Sequence, residues 1–402
     1  MDNIKILPVF ISTLFKKVPV VFQNNHKTTF MWLTFLIALG VGNHKLKQMG
    51  KFGSHHVVEY RFRRLLTAGY WSLHCIIIWL ASEVIQSLPK PENQTIYLVT
   101  DGSKKEKRGK KNVFNQKGKI RSNHGWFFGI KFVVLMVQWS NLRIPVDFEI
   151  LYKKGHKNYA NENEIFRSMV ERFKVPNGIK HVIVLADAGF ASKENLRFLG
   201  QLREEMLKHT GVLWHYVVAF AKTWKLENGQ ELKNIARHTK RSCYKQYRIP
   251  SINGKKQRSY WAFAKQASLR HIGDVTTVFS KARRNSGPKH VKVIVTNLPN
   301  VTAKQVLCIY QRRFLIEVLF KELKSGLGLG KQQVSKNENR ITNSIGMSLL
   351  AYLLILKLQH KDIVPGKSWS IFKLQESLRY RVLSGQVEHD YKLMEKRLQN
   401  AA

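Results

Sequence analysis

Two short apolar runs set the tightest limit on how this chain can fold. TIYLVTD (Thr95 to Asp101) and HVIVLAD (His181 to Asp187) are continuous rather than alternating in character, and each closes on a lone aspartate. Runs of that length, rich in β-branched and aliphatic residues, predict strands buried on both faces. Strands of that kind need helices to cover them. NENEIFRSMVERF supplies one at helical spacing, and a second is predicted from about Ser192 to His209. GWFFGIKFVVLMVQW followed by LRIPVDFEI predicts two more strands joined at the turn residues Ser140 and Asn141. Elements in this order predict an α/β domain with a mixed sheet.

Residues 1 to about 90 have a different texture. Apolar positions recur at helical spacing, and Gly40, Gly42, Gly50 and Gly53 break the pattern into short helices. Short basic helices joined by tight turns suit a helix-turn-helix, in which Arg61, Arg63 and Arg64 would meet phosphates or base edges. A plain helical bundle with basic outer faces fits the same pattern equally. The Pro-rich stretch SLPKPENQ then reads as a linker, and from Gly366 onward the tail reads as one or two charged helices.

Charge narrows the choice of partner. Lys and Arg number 68 against 26 Asp and Glu, giving +42 spread from end to end. Such a field favours a polyanion: nucleic acid, an anionic membrane surface or an acidic protein. Insertion into a membrane is not expected, because the longest apolar runs, Phe30 to Val41, Trp71 to Ala81 and Met347 to Leu356, fall short of about 20 residues. The start MDNIKILPVF lacks the basic region and cleavable apolar core of a signal peptide. Cys75, Cys243 and Cys308 form no CxxC pair, which argues against a disulfide framework or a zinc knuckle and fits a reducing, cytoplasmic location.

The stretch YQRRFLIEVLFKELK, Tyr310 to Lys324, brings the acids into question. At about 100° per residue, Leu315, Ile316, Leu319 and Leu323 fall roughly 140–240° from Tyr310 and form a core-facing stripe. Arg313, Glu317 and Lys324 come out within about 60° of Tyr310, on the far side. A solvated face with helix-stabilising charge pairs would look the same. Each aspartate alone equally suits a turn, since TDGS and ADAGF both have turn chemistry. Taken together they say more, because the carboxyl ends of strands in open α/β sheets are where ligands bind. Asp101, Asp187 and Glu317 would then form a hard-cation site. Oxygen ligands without cysteine or paired histidine select Mg2+, or Mn2+ in its place. Two such ions about 3.5–4 Å apart would activate an attacking water or hydroxyl and stabilise the leaving oxygen of a phosphodiester. The run SKKEKRGKKN after Asp101, with Lys104, Lys105 and Arg108, is placed to contact phosphate. GLGLG at 326–330 follows a helix, so it signals helix termination rather than a dinucleotide or P-loop site. No small-molecule cofactor is expected.

Asp101, Asp187 and Glu317, together with Tyr310, Arg313, Glu317 and Lys324 spaced as Y-x2-R-x3-E-x6-K, resemble the DDE triad and YREK signature of the insertion-sequence-four family of transposases. ADAGF resembles the segment around that family's second aspartate, VTDGS resembles the first less closely, and VIVTNL at 293–298 is similar to the strand before the signature helix. The resemblance spans about residues 30–360. It implies a ribonuclease H-like catalytic domain, interrupted between the second aspartate and the glutamate by a β-rich insertion. The implied division is 1–90 helical and DNA-binding, 91–221 the first part of the catalytic core, 222–290 the insertion, 291–360 the second part of the core, and 361–402 a helical tail. Within the insertion, SCYKQYRIPSINGKKQRSYWAFAK reads as strands around an Asn-Gly turn. The resemblance further implies that Tyr310, Arg313 and Lys324 hold transposon-end DNA, that Trp261 or Trp224 can stack on a flipped base, and that the protein works as a homodimer on paired ends. The implied reaction cleaves at the element's ends and transfers the 3′-hydroxyl strand into target DNA. Two alternatives share the same residues: a two-metal nuclease without strand transfer, such as a junction resolvase, and an inactive DNA-binding relic.

Overall fold

The computed structural model describes residues 9–22, 26–52, 59–68, 71–106, 112–119, 125–252, 257–331, 337–363 and 369–399. Arg108 and the Asn-Gly pair of the predicted insertion turn lie outside the described residues. The elements run in the order α1 (Val9–Lys16), α2 (His26–Leu39), α3 (Leu46–Met49), α4 (Glu59–Ala68), α5 (Leu73–Gln86), β1 (Thr95–Glu106), β2 (Asn115–Lys119), β3 (Trp126–Trp139), β4 (Leu142–Ile150), α6 (Glu162–Arg172), β5 (His181–Ala186), α7 (Lys193–Thr210), β6 (Leu213–Phe220), α8 (Leu232–His238), β7 (Lys245–Pro250), β8 (Gln257–Leu269), β9 (Gly273–Lys281), β10 (Lys292–Thr296), α9 (Ala303–Tyr310), α10 (Phe314–Gly326), α11 (Glu338–Gln359) and α12 (Ile371–Gln399).

The strands of the described residues join in one mixed ten-stranded sheet, ordered β2-β3-β1-β5-β6-β10-β9-β8-β7, with β4 paired to β3. β1, β5 and β6 are parallel, and β3 and β10 flank them antiparallel. The predicted turn at Ser140–Asn141 is present, with Ser140 at φ 54°. The strands of the 222–290 stretch form no separate sheet: β9 pairs along β10, and β8 and β7 follow as an antiparallel meander. The 222–290 stretch therefore prolongs the sheet sideways.

Local signals fix the helices that cover this sheet. Asn161 accepts from the backbone of Asn163 and Glu164 while Glu164 reaches back to the Asn161 N–H at 2.8 Å, a capping box that starts α6. Thr302 and Gln305 do the same for α9. Such caps each contribute about 1 kcal/mol. α6 meets one face of the sheet, where Glu162 lies 3.9 Å from Lys131. α10 meets the other, where the Phe320 and Phe132 rings are 6.2 Å apart. As predicted, the glycine-rich run ends α10: Gly328 sits at φ +66° and the Leu329 N–H donates to the Leu323 carbonyl at 2.9 Å.

The described residues of the N-terminal stretch form helices α1 to α5, of which α2, α4 and α5 pack on α11. Gly346 of α11 is in close contact with α5: a Cβ there would fall 2.2 Å from Leu73 Cδ2. α11 is also longer than the apolar run Met347 to Leu356 suggested. Among the described residues it is the one unbent helix long and apolar enough to cross a membrane, yet 83% of its most apolar window is buried inside the protein. Burial against α2, α4 and α5 accounts for its composition.

Candidate active site

The sheet register brings the two aspartates together. Val99 of β1 pairs with Leu185 of β5 in parallel, and Asp101 and Asp187 each lie two residues further on. They are level with each other at the carboxyl edge of adjacent strands. The turn chemistry anticipated for each is real: the Gly102 N–H donates to Asp101 Oδ1 at 2.8 Å and the Gly189 N–H to Asp187 Oδ1 at 2.7 Å. Those bonds occupy one carboxylate oxygen of each pair. β1 does not end at Asp101, as the run TIYLVTD suggested, but continues to Glu106 because Gly102 to Glu106 stay paired with β3.

The third acid arrives on a helix that is not continuous. α9 ends at Tyr310, a 3-10 turn spans Gln311–Arg313, and α10 begins at Phe314. Such a turn advances about 120° per residue instead of 100°, so the phase of Tyr310 relative to Glu317 shifts by about 60°. Arg312 anchors the turn over β1, its guanidinium 4.6 Å from the Tyr97 ring centroid. Leu315, Ile316, Leu319 and Leu323 are buried, as their stripe predicted.

Arg313 ties the cluster together. Its Nη1 donates to Asp101 Oδ2 at 3.0 Å, and its Nη2 pairs with Glu317 Oε1 in the same helix. Burial pushes the Asp101 carboxyl up to about 6, against the pull of Arg313 and with help from the charge of Asp187. The pairing with Arg313 thus does not offset the burial of the Asp101 carboxylate. Tyr310 is buried, its hydroxyl finds no hydrogen-bond partner among the described residues, and burial pushes its phenol up to about 12.

Lys292 completes the site and was missed from sequence. It is the first residue of β10, which runs antiparallel to β6, so it lies at the same carboxyl edge as the aspartates. Its Nζ stands 4.5 Å from the Tyr310 ring centroid. Burial and the neighbouring Arg313 lower its pKa, while Asp187 and Glu317 act in the opposite direction. Its place before VIVT was the available signal: in a strand antiparallel to the core, the first residue sits at the ligand edge. With Arg258, Tyr260 and Ser280 it lines one wall of a cleft of about 340 Å³, and Tyr310, Arg313 and Phe314 line the other.

The donor chemistry suits a hard divalent cation, since all three acids offer oxygen and no soft ligand stands beside them. Among the described residues, no three acidic, histidine or cysteine side chains are gathered tightly enough to hold a metal ion. The guanidinium of Arg313 occupies the space between Asp101 and Glu317 as a monovalent stand-in. Those two carboxylates would hold a cation only with that side chain displaced.

The remaining predicted residues scatter. Lys324 is exposed in the last turn of α10. Alternation along β1 puts Lys105 on the face of Asp101 and Lys104 on the opposite one, where its Nζ lies 5.4 Å from the Phe127 ring centroid. On α4, Arg63 is engaged with Glu59 (Nε to Oε1 2.7 Å), Arg64 is exposed and Arg61 half-buried. Trp261 is half-buried with Arg284 5.3 Å from its ring centroid. Because neighbouring Tyr260 lines the cleft, alternation turns Trp261 to the other face. Trp224 packs 4.8 Å from the Phe220 ring.

A family model described as a transposase DDE domain matches residues 92–354. A search of the curated proteins finds no match. Among solved structures, the piggyBac transposase synaptic complex with hairpin DNA is similar at 13% identity and TM-score 0.46, covering 83% of this chain and 57% of its own. The present chain thus spans little more than half the length of that protein. The NurA nuclease from Sulfolobus solfataricus is similar at 9% identity and TM-score 0.26, covering 67% of this chain and 85% of its own.

Proposed function

We propose that this chain, which belongs to the transposase DDE domain family, cleaves phosphodiesters at the ends of an insertion element and joins the freed 3′ hydroxyl to target DNA. The observation that carries the proposal is that Asp101 and Asp187 lie level at the carboxyl edge of adjacent strands while Arg313 pairs with both Asp101 and Glu317. Within the family, the Y-x2-R-x3-E-x6-K spacing of Tyr310, Arg313, Glu317 and Lys324 assigns the chain to the insertion-sequence-four group. The strand order β4-β3-β1-β5-β6, with β3 alone antiparallel, supports a ribonuclease H-like core.

Asp101, Asp187 and Glu317 would hold divalent ions, magnesium in the first instance, which supply Lewis acidity to the attacking and leaving oxygens of the phosphodiester. The chain's own groups do the rest. Lys292, Arg313 and Lys324 bind the phosphates flanking the scissile bond, and the unpartnered Tyr310 hydroxyl is free to donate to one of their oxygens. A phosphate that drew Arg313 toward itself would leave Asp101 and Glu317 without the guanidinium that pairs with both. In the first step water attacks phosphorus and the 3′ oxygen leaves as a hydroxyl. In the second that hydroxyl attacks a target phosphodiester, whose own 3′ oxygen leaves. The protein acts as a homodimer on paired ends, and its basic field holds both DNAs.

The test is an incubation of the protein with a pre-cleaved end, a target plasmid and magnesium. Joined product is expected. Cutting of intact ends without joining would instead identify a nuclease of the same fold. Glu317→Gln should keep end binding and lose magnesium-dependent nicking; nicking at the wild-type rate would remove Glu317 from the ligand set.

A further inference from the structure

Past Asp101 the sheet continues outward. Lys105 of β1 pairs with Ile130 of β3, and Lys117 of β2 pairs with Phe128. Opposed residues in antiparallel pairs share a face, as do alternate residues along a strand. Asp101, Ser103 and Lys105 therefore share a face with Ile130, Phe128 and Trp126 of β3 and with Lys117 of β2. α10 covers the inner part of this face through Phe320 and Phe132, and ends at Gly326. Further out, Trp126 is 58% exposed and Phe128 37% exposed, whereas Phe127 between them is turned to the other face and 2% exposed.

Two large aromatics side by side in water lose hydration free energy that a partner would recover. Their neighbours say which partner. Lys117 Nζ stands 4.3 Å from the Trp126 ring centroid, Lys105 lies between that pair and Asp101, and Glu106, the nearest acid in the chain, is on the opposite face. Lysines alone would suit any polyanion, but exposed rings interleaved with them match the alternation of bases and phosphates in a nucleic-acid strand. Trp126 and Phe128 are two residues apart, about 6.8 Å along the strand, twice the ~3.4 Å repeat of a nucleic-acid strand.

We propose that the outer face of β1, β3 and β2 is a docking platform for DNA with unpaired bases, on which Trp126 and Phe128 stack against bases while Lys105 and Lys117 meet phosphates. A strand leaving Asp101 would run directly onto it. The inference rests on the reading that Asp101 faces a DNA phosphodiester, and it adds a surface that the signature residues do not include.

The experiment measures binding of the full chain to fluorescein-labelled oligodeoxythymidine and to a duplex of equal length, across a salt series and with chelator in place of divalent ion. Replacing both rings by alanine (W126A with F128A) should weaken single-strand binding by about tenfold or more and duplex binding by less than about threefold. K117A should reduce the salt dependence of single-strand binding by about one counterion. Trp126→Leu, which keeps apolar bulk without a stacking plane, guards against misfolding and should show most of the same loss. Unchanged single-strand affinity in Trp126→Leu and in the double variant overturns the proposal. So does a shift from dimer to monomer in sedimentation with DNA affinity intact, which would assign the face to a second copy of the chain. Because no metal is present, a failure of strand transfer by the wild type would count against the proposed function and leave this surface standing.

Discussion

Helix α10 carries an arginine–carboxylate cluster toward each end. At its start, Arg313 pairs with Asp101 and Glu317, whose side chains are 15%, 19% and 43% exposed. Five residues after Glu317, Glu322 meets Arg143 of β4 in a two-pronged contact (Nη2 to Oε1 2.8 Å, Nε to Oε2 3.2 Å), both side chains only 6% exposed. Tyr352 of α11 donates to Oε2 of Glu322 at 3.1 Å, and Arg143 lies 3.9 Å from the Trp369 ring centroid. The inner cluster is balanced and closed: one acid and one base, each carboxylate oxygen hydrogen-bonded and both side chains buried. The outer one is acid-rich and open to solvent, with an aspartate whose carboxyl is pushed up to about 6 and a tyrosine hydroxyl that finds no hydrogen-bond partner among the described residues. Charge pairing as such does not mark a functional site. Unequal stoichiometry with an open side does.

The sharpest way to break the comparison is to alter one acid in each cluster. Glu317→Gln or Asp101→Asn should lower magnesium-dependent cleavage by about a thousandfold or more, equivalent to losing roughly 4 kcal/mol of transition-state stabilisation. Cleavage assays on labelled end DNA read this directly. Glu322→Ala should instead destabilise the fold by about 3–5 kcal/mol, since it leaves Arg143 charged, buried and unpaired. Urea unfolding measures that loss, and the cleavage rate per folded molecule should be unchanged. Activity lost through Glu322 at full stability would show that the two ends of α10 are not distinct.

A smaller effect separates the clusters by pH. The folded Asp101 carboxyl titrates near 6, above its ordinary 3.8, so ionising it opposes folding. The penalty is absent below about pH 4, grows as pH rises to about 6, and is complete above that. In chelator, Asp101→Asn should therefore be more stable than wild type at pH 8, on the order of 2 kcal/mol, and no different at pH 3.5. Equal stability at both pH values would mean that Arg313 fully compensates Asp101. The smallest effect belongs to Lys292→Ala, which should weaken binding to any DNA sequence uniformly and lower the salt slope by about one.

How much of this could be read in the chain differs from element to element. The strands TIYLVTD and HVIVLAD were legible because apolar runs of that length have few alternatives, and the leucine stripe of α10 because 3.6-residue periodicity persists for more than two turns. The break at Gln311–Arg313 was not, since a 3-10 turn requires no proline or glycine and here follows from packing over β1 and β5. Glu322 falls about 140° round the helix from Glu317, beside the leucine stripe, but its partners Arg143 and Tyr352 arrive from distant segments and could not be read there. Lys292, Tyr260 and Trp126 carried no motif, and their placement depends on strand pairing.

The sequence by itself determined the α/β class and the helical character of the described N-terminal elements, because those depend on local periodicity, and its fixed spacings singled out the three acids and the arginine as candidates. The tertiary structure alone decided that Asp101 and Asp187 stand level across β1 and β5, that Arg313 lies between acids from two elements, and that the β7–β9 meander widens one sheet instead of forming another. The physical reason is that register and helix phase are set by which surfaces bury one another, and residues more than two hundred positions apart have no local means of encoding that meeting.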